Sequence, residues 1–252
     1  MAGGLASLQM YARAETQGAQ DRLWHAIRAH YGQGDGELTH CDPIDSAWDD
    51  PDLLLSQTCG MPYRHHLKDR VTLVGTPDYA VEGCAPGYYR SCILARRDDP
   101  RQHLTQFAGA TLAVNSTMSQ SGWAAVENHL ADTGAGFDFR ANMRITGGHM
   151  ASARAVAQGH ADLASIDAVT WRFLQRYEPW TADLTVIQMT APTPGLPLIT
   201  RAGLDPAPLF DAISNAIADL SPDDQSLLAL NGLTTIAKSA YLAVPLPAPY
   251  VG

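Results

Sequence analysis

The polar segment Asn115–Trp123 (Asn-Ser-Thr-Met-Ser-Gln-Ser-Gly-Trp) holds the densest group of side chains that could do chemistry. It lies between an apolar strand pattern and a helical pattern, and four of its residues carry hydroxyl groups: Ser116, Thr117, Ser119 and Ser121. Serine and threonine are common N-caps, so a capped helix without a ligand is the simpler interpretation. Four hydroxyls in six residues exceed the need of one cap, however, and unpaired N–H groups at a helix start attract anions. The segment therefore predicts a site for a tetrahedral oxyanion.

Two further polar residues lie at the ends of predicted elements in the same half of the chain. His149, in Thr146-Gly-Gly-His-Met, opens an alanine-rich helical pattern, and an imidazole there could donate to an anion in a pH-dependent way. A lone histidine at such a junction is more often structural, so this prediction depends on the hydroxyl-rich segment. Asp167 ends the strand pattern Ala161–Ile166, where it could bind an ammonium or hydroxyl group of a ligand or cap the segment that follows.

Earlier in the chain, two other strand patterns end in polar residues. The first ends at Tyr11, and the second, Leu53-Leu-Leu-Ser, is followed by Gln57, Thr58 and Cys59. In open α/β sheets, ligands bind beyond the carboxyl ends of the strands. We therefore predict that these four residues also contact the ligand.

The apolar patterns predict strands and helices in alternation. Strands are expected at residues 5–10, 53–56, 70–74, 88–95, 111–114, 161–167 and 184–189, and helices at 16–31, 123–130, 150–159, 208–220 and 221–230. The charged, turn-rich run Arg96-Arg-Asp-Asp-Pro separates two such series. This alternation predicts an α/β fold with mostly parallel sheets flanked by helices.

The composition argues against several classes of protein. With a formal net charge of −9 and a pI near 5.3, the chain offers no basic face to a nucleic acid. Its apolar runs are far shorter than the roughly 20 residues of a membrane-spanning helix, so no membrane insertion is expected. The four cysteines lack CxxC spacing and His65-His66 has no third ligand at a recognisable spacing, so we expect neither a metal nor another cofactor.

Five segments carry a family resemblance: Leu54-Leu-Ser-Gln-Thr-Cys-Gly, Tyr89-Arg-Ser-Cys-Ile-Leu-Ala, Ser119-Gln-Ser-Gly, Gly147-Gly-His-Met with the helical pattern to Gly159, and Ala161-Asp-Leu-Ala-Ser-Ile-Asp. Together they resemble the phosphate, phosphite and phosphonate solute-binding family of ABC transporters, which has the type II periplasmic-binding-protein fold. The resemblance spans most of the chain. It implies two lobes joined by crossing strands, residues 1–92 with 190–252 and residues 93–189, and a ligand cleft between them.

The resemblance also implies roles for single residues. Ser119, Ser121 and Thr117 match the loop that holds the phosphonate oxygens in the family. Gln120 stands where that loop usually has threonine, so an amide replaces one hydroxyl donor.

Three more positions follow from the same resemblance. His149 takes the place of a family histidine, Asp167 falls where an acidic residue would meet a ligand amine, and Tyr11 falls where an aromatic wall is expected. Neither these residues nor those of the hydroxyl-rich segment are expected to be catalytic.

The sequence therefore predicts a solute-binding protein that captures a small phosphorus oxyanion, namely a phosphonate, phosphate or phosphite, and that is not an enzyme. Its expected partners are that anionic ligand and an ABC permease, and the chain is expected to be a monomer. No signal peptide is visible, so the expected location is periplasmic if one has been removed and cytoplasmic otherwise.

Two alternatives stay open at this point. A cytoplasmic sensor could bind a pyrimidine or a thiamine-precursor heterocycle by stacking on tyrosine and tryptophan side chains. A hydrolase could use Ser119, His149 and Asp167, but the chain lacks the Gly-x-Ser-x-Gly turn that presents the nucleophile in one large hydrolase class.

Overall fold

The computed structural model describes residues 4–248, which form two compact units. Unit 1 contains the residues up to Tyr88 together with Pro194–Ala243. Unit 2 contains Tyr89–Thr193 together with residues 244–248. No helix among the described residues is long and apolar enough to cross a membrane.

Strands and helices alternate along most of the chain. The strands are β1 (Leu5–Ser7), β2 (Leu53–Gln57), β3 (Val71–Asp78), β4 (Tyr88–Tyr89), β5 (Ser91–Arg96), β6 (Leu112–Val114), β7 (Met143–Ile145), β8 (Leu163–Asp167), β9 (Leu184–Met189), β10 (Thr193–Pro194), β11 (Leu198–Arg201) and β12 (Gly232–Thr234). The α-helices are α1 (Gln17–Tyr31), α2 (Gly60–Pro62), α3 (Ala125–Thr133), α4 (His149–Ala157), α5 (Ala168–Tyr177), α6 (Ala207–Ala218), α7 (Pro222–Leu228) and α8 (Lys238–Leu242). A π-helical turn, Gln120–Ala124, leads directly into α3.

Unit 1 is built on a five-stranded sheet with the strand order β1-β2-β11-β3-β12. Helices α1 and α6 share one apolar core, to which they contribute Trp24, Ile27, Leu209 and Ile213. These residues recur at helical spacing, so burying one face of each helix accounts for their position. α1 ends at Gly32, which has a φ of 81° and so adopts the left-handed conformation that favours glycine.

Unit 2 is built on a second five-stranded sheet with the order β7-β6-β8-β5-β9. Its apolar core includes Phe107, Trp123 and Phe139. Strand β6 pairs in parallel with both β7 and β8, so the carboxyl ends of the three strands, at Val114, Ile145 and Asp167, lie at the same edge of the sheet. This edge positions the hydroxyl-rich loop.

The predicted α/β fold is confirmed, with one qualification: each sheet also contains antiparallel pairs. Among the described residues of unit 1, only β1 and β2 pair in parallel, because β11 enters between β2 and β3 and runs antiparallel to both. In unit 2, β5 runs antiparallel to both β8 and β9. Both sheets are therefore mixed.

The boundaries between the units differ by a few residues from the predicted lobes. They fall after Tyr88 and after Thr193 rather than after residues 92 and 189, because the antiparallel pairing of β5 with β8 begins at Ser91. The chain passes from one unit to the other along β4 and β10, which pair as a two-stranded sheet. The described residues from Val244 belong to unit 2, where the Pro245 carbonyl accepts a hydrogen bond from Asn128 Nδ2 at 3.1 Å.

Candidate functional site

The hydroxyl-rich segment forms a loop after β6 and then the first turn of a helix. Ser119 is the N-cap: its Oγ accepts a hydrogen bond from Gly122 N at 2.9 Å, and its hydroxyl hydrogen stays able to donate. The Ser119 carbonyl accepts from Ala124 N at 3.0 Å, a bond five residues along that widens the turn into a π-helix. Gln120 and Ser121 therefore lie inside this first turn, and both are buried.

Gly122 allows the loop and the helix to approach closely. A Cβ atom at this position would lie 2.0 Å from Asn115 Oδ1 and 3.1 Å from Ser119 Oγ. Asn115 Oδ1 is itself buried without a hydrogen-bond partner. The packing of the loop therefore depends on the missing side chain of Gly122.

A second loop, Thr146–Gly148, is fixed to the first by hydrogen bonds that extend the pairing of β6 with β7. Thr146 N donates to Val114 O at 2.8 Å, and Gly147 N donates to Asn115 O at 3.1 Å. The Thr146 hydroxyl lies 2.6 Å from Ser152 Oγ in the first turn of α4. These bonds bring His149, the first residue of α4, beside the hydroxyl-rich loop.

Ser121, His149 and Asp167 meet at this edge of the sheet. His149 Nε2 lies 3.0 Å from Ser121 Oγ and 3.5 Å from Asp167 Oδ2. Ser165 Oγ, on β8, donates to the Ser121 carbonyl at 2.6 Å and so fixes the backbone of the first turn. The structure thus brings together three residues that lie far apart in the sequence.

Asp167 serves as the N-cap of α5. Its Oδ1 accepts from Thr170 N at 2.8 Å, and its Oδ2 accepts from the Thr170 hydroxyl at 2.6 Å. Of the two roles that the sequence leaves open for Asp167, capping is the one observed. Both carboxylate oxygens are engaged within unit 2.

Burial determines the charge state of His149. Desolvation lowers the pKa of its imidazole below the usual value of 6.5, and the Asp167 carboxylate opposes this shift. The first turn of a helix also disfavours a positive charge. In the free protein the imidazole is therefore neutral at neutral pH.

These three residues do not form a hydrolytic triad. A Ser-His-Asp relay uses both ring nitrogens, one toward the serine and the other toward the carboxylate. Here the hydroxyl and the carboxylate both lie near Nε2, and Nδ1 is buried without a hydrogen-bond partner. Ser119, the serine that sequence reasoning grouped with His149 and Asp167, instead accepts from Gly122 N.

The remaining predicted residues of unit 2 lie in the same loop. Thr117 is half-buried, and Gln120 is 1% exposed. The neighbouring Ser116 makes a local bond, in which its Oγ accepts from Met118 N at 3.0 Å. Thr117 and Gln120 stay predicted ligand contacts.

The predicted residues of unit 1 form a separate group. Gln57 is buried, and its Nε2 donates to Leu196 O at 3.2 Å and to the Tyr79 hydroxyl at 3.4 Å. The Tyr11 ring packs edge-on against the Tyr79 ring, with the centroids 5.0 Å apart. The structure thus joins Tyr11 and Gln57 through Tyr79, which sequence reasoning did not single out.

The other two predicted residues of unit 1 are buried next to each other. The Thr58 side chain is fully buried, its backbone N–H donates to Pro197 O at 3.1 Å, and its hydroxyl lies 3.4 Å from Cys59 O. Cys59 is a buried residue at the start of α2. These contacts suit a structural role, and a ligand contact by either residue stays a prediction.

Sequence reasoning missed the residues that hold the site in place. Ser165 is a hydroxyl residue within the buried strand β8, and Thr146 and Asn115 directly follow β7 and β6. A serine in an otherwise apolar strand was the available signal for Ser165. Among residues 4–248, no group of three His, Cys, Asp or Glu side chains is arranged to hold a metal ion.

Comparisons with known proteins identify a family and a shared fold. A family model described as "ABC transporter, phosphonate, periplasmic substrate-binding protein" matches residues 57–241, well over half of the chain. No curated protein sequence gives a significant match.

Several solved structures share the fold at low sequence identity. PhnD1 of Prochlorococcus marinus, in complex with methylphosphonate, has a TM-score of 0.75 and 11% identity over 95% of this chain and 94% of that one. A binding-protein component of an ABC phosphonate transporter of Pseudomonas aeruginosa has a TM-score of 0.70 and 14% identity, over 92% of this chain and 81% of that one. XAC2383 of Xanthomonas citri, bound to ATP, has a TM-score of 0.67 and 17% identity over 95% of this chain and 93% of that one. The predicted type II periplasmic-binding-protein fold is confirmed.

Proposed function

Since this chain belongs to the family of periplasmic substrate-binding proteins of phosphonate ABC transporters, we propose that it binds a small phosphorus oxyanion and delivers it to an ABC permease. The ligand is a phosphonate, phosphate or phosphite. The family is one of solute-binding proteins, and binding without chemical conversion of the ligand is part of the proposal. A periplasmic location is also part of the proposal.

The observation that carries the proposal is the hydroxyl-rich turn at the carboxyl edge of the unit 2 sheet. Ser119 and Ser121 each place a hydroxyl in or next to the first turn of a helix, where backbone N–H groups lack intrahelical partners. Such a turn offers an oxyanion several neutral donors and the positive end of the helix dipole. Thr117 and Gln120 are proposed as further donors.

The same arrangement supports a binding role over a catalytic one. A hydrolase needs a base that activates the nucleophile and is oriented through its second nitrogen. His149 lacks such an orienting partner at Nδ1, and Asp167 is committed to Thr170. We therefore propose that Ser121 and His149 hold the ligand in place.

The first test is a thermal-shift series with phosphate, phosphite, methylphosphonate, 2-aminoethylphosphonate, methanesulfonate and a pyrimidine. A ligand at about 100 times its Kd stabilises the native state by about 2.7 kcal/mol, which corresponds to several degrees. We expect a phosphorus oxyanion to raise the Tm, and Ser121→Ala to abolish most of that rise. Asp167 caps α5 but its carboxylate can accept further hydrogen bonds, so a larger rise with 2-aminoethylphosphonate than with methylphosphonate would indicate that it also binds the ligand amine.

The matched control is Ser116→Ala, which removes a hydroxyl from the same loop. Its contact is the local bond from Met118 N, so the ligand-induced rise should persist. Loss of the rise in both variants would show only that the loop had collapsed. A response to the pyrimidine alone would contradict the proposal and favour a sensor of heterocycles.

A further inference from the structure

In the free protein, one of the two ring nitrogens of His149 lacks a hydrogen-bond partner. Its Nδ1 is buried without a hydrogen-bond partner, and its Nε2 lies between Ser121 Oγ at 3.0 Å and Asp167 Oδ2 at 3.5 Å. A neutral imidazole has one donor and one acceptor. With the hydrogen on Nε2, a buried acceptor at Nδ1 is unpaired. With the hydrogen on Nδ1, a buried donor is unpaired and the Nε2 lone pair faces the carboxylate.

The other ionisable groups around the ring leave it facing one negative charge. The loop from Asn115 to Gly122 has no ionisable side chain. On β5, burial raises the pKa of the Cys92 thiol to about 12, so that group stays neutral. The positive charge of Arg90, which precedes β5, opposes this rise in the pKa of Cys92. On α4 itself, Arg154 lies 3.4 Å from Glu178. Asp167 is the charged group that acts on His149.

An oxyanion on Ser119 and Ser121 would add a second negative charge beside this ring. Opposite charges within about 4–6 Å favour the charged form of an ionisable group, and the effect is stronger where water is excluded. A protonated ring donates from both nitrogens, so Nε2 can donate to Ser121, Asp167 or the oxyanion, and Nδ1 gains a partner where an oxygen of the ligand reaches it. The charge balance thus favours an imidazolium in the complex.

We propose that His149 takes up a proton when the oxyanion binds, and that the site thereby selects ligands with two negative charges over ligands with one. The proposal deepens the proposed function and rests on it. Doubly charged phosphonate, phosphate and phosphite gain from the imidazolium, while a sulfonate of the same size carries one charge and gains less.

The affinity for a doubly charged ligand should therefore depend on pH. Between the lower pKa of the free ring and the higher pKa of the ring in the complex, binding takes up one proton. The affinity for the doubly charged form then falls by up to about tenfold for each unit that the pH rises. Below the ligand's own second pKa the free ligand is singly charged and gives up a proton on binding, which offsets the proton taken up by the ring, so the fall is measured above that pKa. Above the pKa of the complex the dependence should vanish.

The direct test is nitrogen-15 NMR of the histidine rings in the full chain at neutral pH, because the two ring nitrogens report both tautomer and charge. The His149 ring should change from neutral to doubly protonated on saturation with methylphosphonate. His149→Gln identifies its signals, and backbone-linked assignment of the wild-type chain serves if that variant does not fold. The matched control is His160→Gln, at the other end of α4, where the histidine is exposed and the variant should leave the transition intact.

Binding constants complete the test. Wild-type protein should prefer methylphosphonate to methanesulfonate by at least about tenfold, and His149→Gln should reduce that ratio. A ring that stays neutral in saturated protein would overturn this inference and leave the proposed function standing. Failure of every phosphorus oxyanion to bind the wild-type chain would overturn both.

Discussion

At Gly122 the hydroxyl-rich loop and its helix come so close that a methyl group does not fit. A Cβ atom there would lie 2.0 Å from Asn115 Oδ1, so Gly122→Ala must displace Asn115. Overpacking of this kind typically costs about 1–3 kcal/mol. We expect a lower free energy of unfolding and a weakened response to methylphosphonate, measured by chemical denaturation with and without ligand.

Gly148→Ala is the comparison for that substitution. Gly148 precedes His149 with extended backbone, φ −164°, and a Cβ atom there would meet nothing within 4 Å. Gly148 is the N-cap of α4, where alanine is less favourable than glycine, so Gly148→Ala should lower the unfolding free energy by less than about 1 kcal/mol and by less than Gly122→Ala does. Equal losses at both glycines would show that tight packing against Asn115 is not what Gly122 provides.

Residue types indicated the candidate donors of the site better than the residues that position them. Ser119, Ser121 and His149 were recognisable because hydroxyls and an imidazole cluster at predicted helix starts. Ser165 was not, because its role depends on which strands are neighbours, and one sequence does not reveal that pairing. For Asp167, the sequence could not distinguish a ligand contact from a helix cap, because a carboxylate before a helix suits both. The structure shows the cap, in which Thr170 donates to both carboxylate oxygens.

Asp167 both caps α5 and lies beside His149 in the candidate site. Asp167→Ala should lower the stability of unit 2 by about 1 kcal/mol, the usual cost of losing an N-cap. Asp167→Asn keeps an oxygen for Thr170 N and should recover most of that loss. Denaturant titrations of the two variants measure the difference.

The two variants also separate capping from charge. Asp167 raises the pKa of His149, so either substitution should lower the pKa of that ring in the free protein. Only the alanine variant should lose the cap. A stable alanine variant would argue that α5 is held by its packing alone.

Helices and strands with a clear apolar pattern were predictable almost to the residue. α1 was expected at 16–31 and occupies Gln17–Tyr31, and β9 was expected at 184–189 and occupies Leu184–Met189. The helix expected at 123–130 instead begins its first turn at Gln120, because a buried polar turn has no apolar periodicity to mark it. The segment that forms α5 carried the signal of an Asp cap but was not assigned.

At the scale of the whole molecule, net charge opposes an anionic ligand. With a formal charge of −9, the chain repels a doubly charged oxyanion over a distance of about 30 Å at 0.01 M salt and about 10 Å at 0.1 M. The association rate constant for methylphosphonate should therefore rise with ionic strength. Stopped-flow measurements in sodium gluconate, whose large anion is a poor mimic of a tetrahedral oxyanion, would show it.

A fall of the rate constant with ionic strength would contradict that prediction. It would mean that a locally positive field outweighs the net charge along the path of the ligand. Phosphate and methanesulfonate provide the comparison, because the dependence on salt should be steeper for the doubly charged anion.

The charged run at Arg96 indicated a division of the chain, and the resemblance supplied the bounds of the two lobes. Alternating strands and helices established the α/β class, but they say nothing about where β11 inserts. The class therefore followed from local patterns, while strand order and direction depend on pairings between residues more than a hundred positions apart.

The position of β11 also determines the order in which the chain can fold. The unit 2 sheet is complete once Met189 has been made, whereas β11 lies in the middle of the unit 1 sheet and is not made until residues 198–201. Until then β2 and β3 each lack a partner on the edge that β11 later occupies. During synthesis unit 2 can therefore fold first, while the N-terminal segment, although made earlier, waits for its central strand.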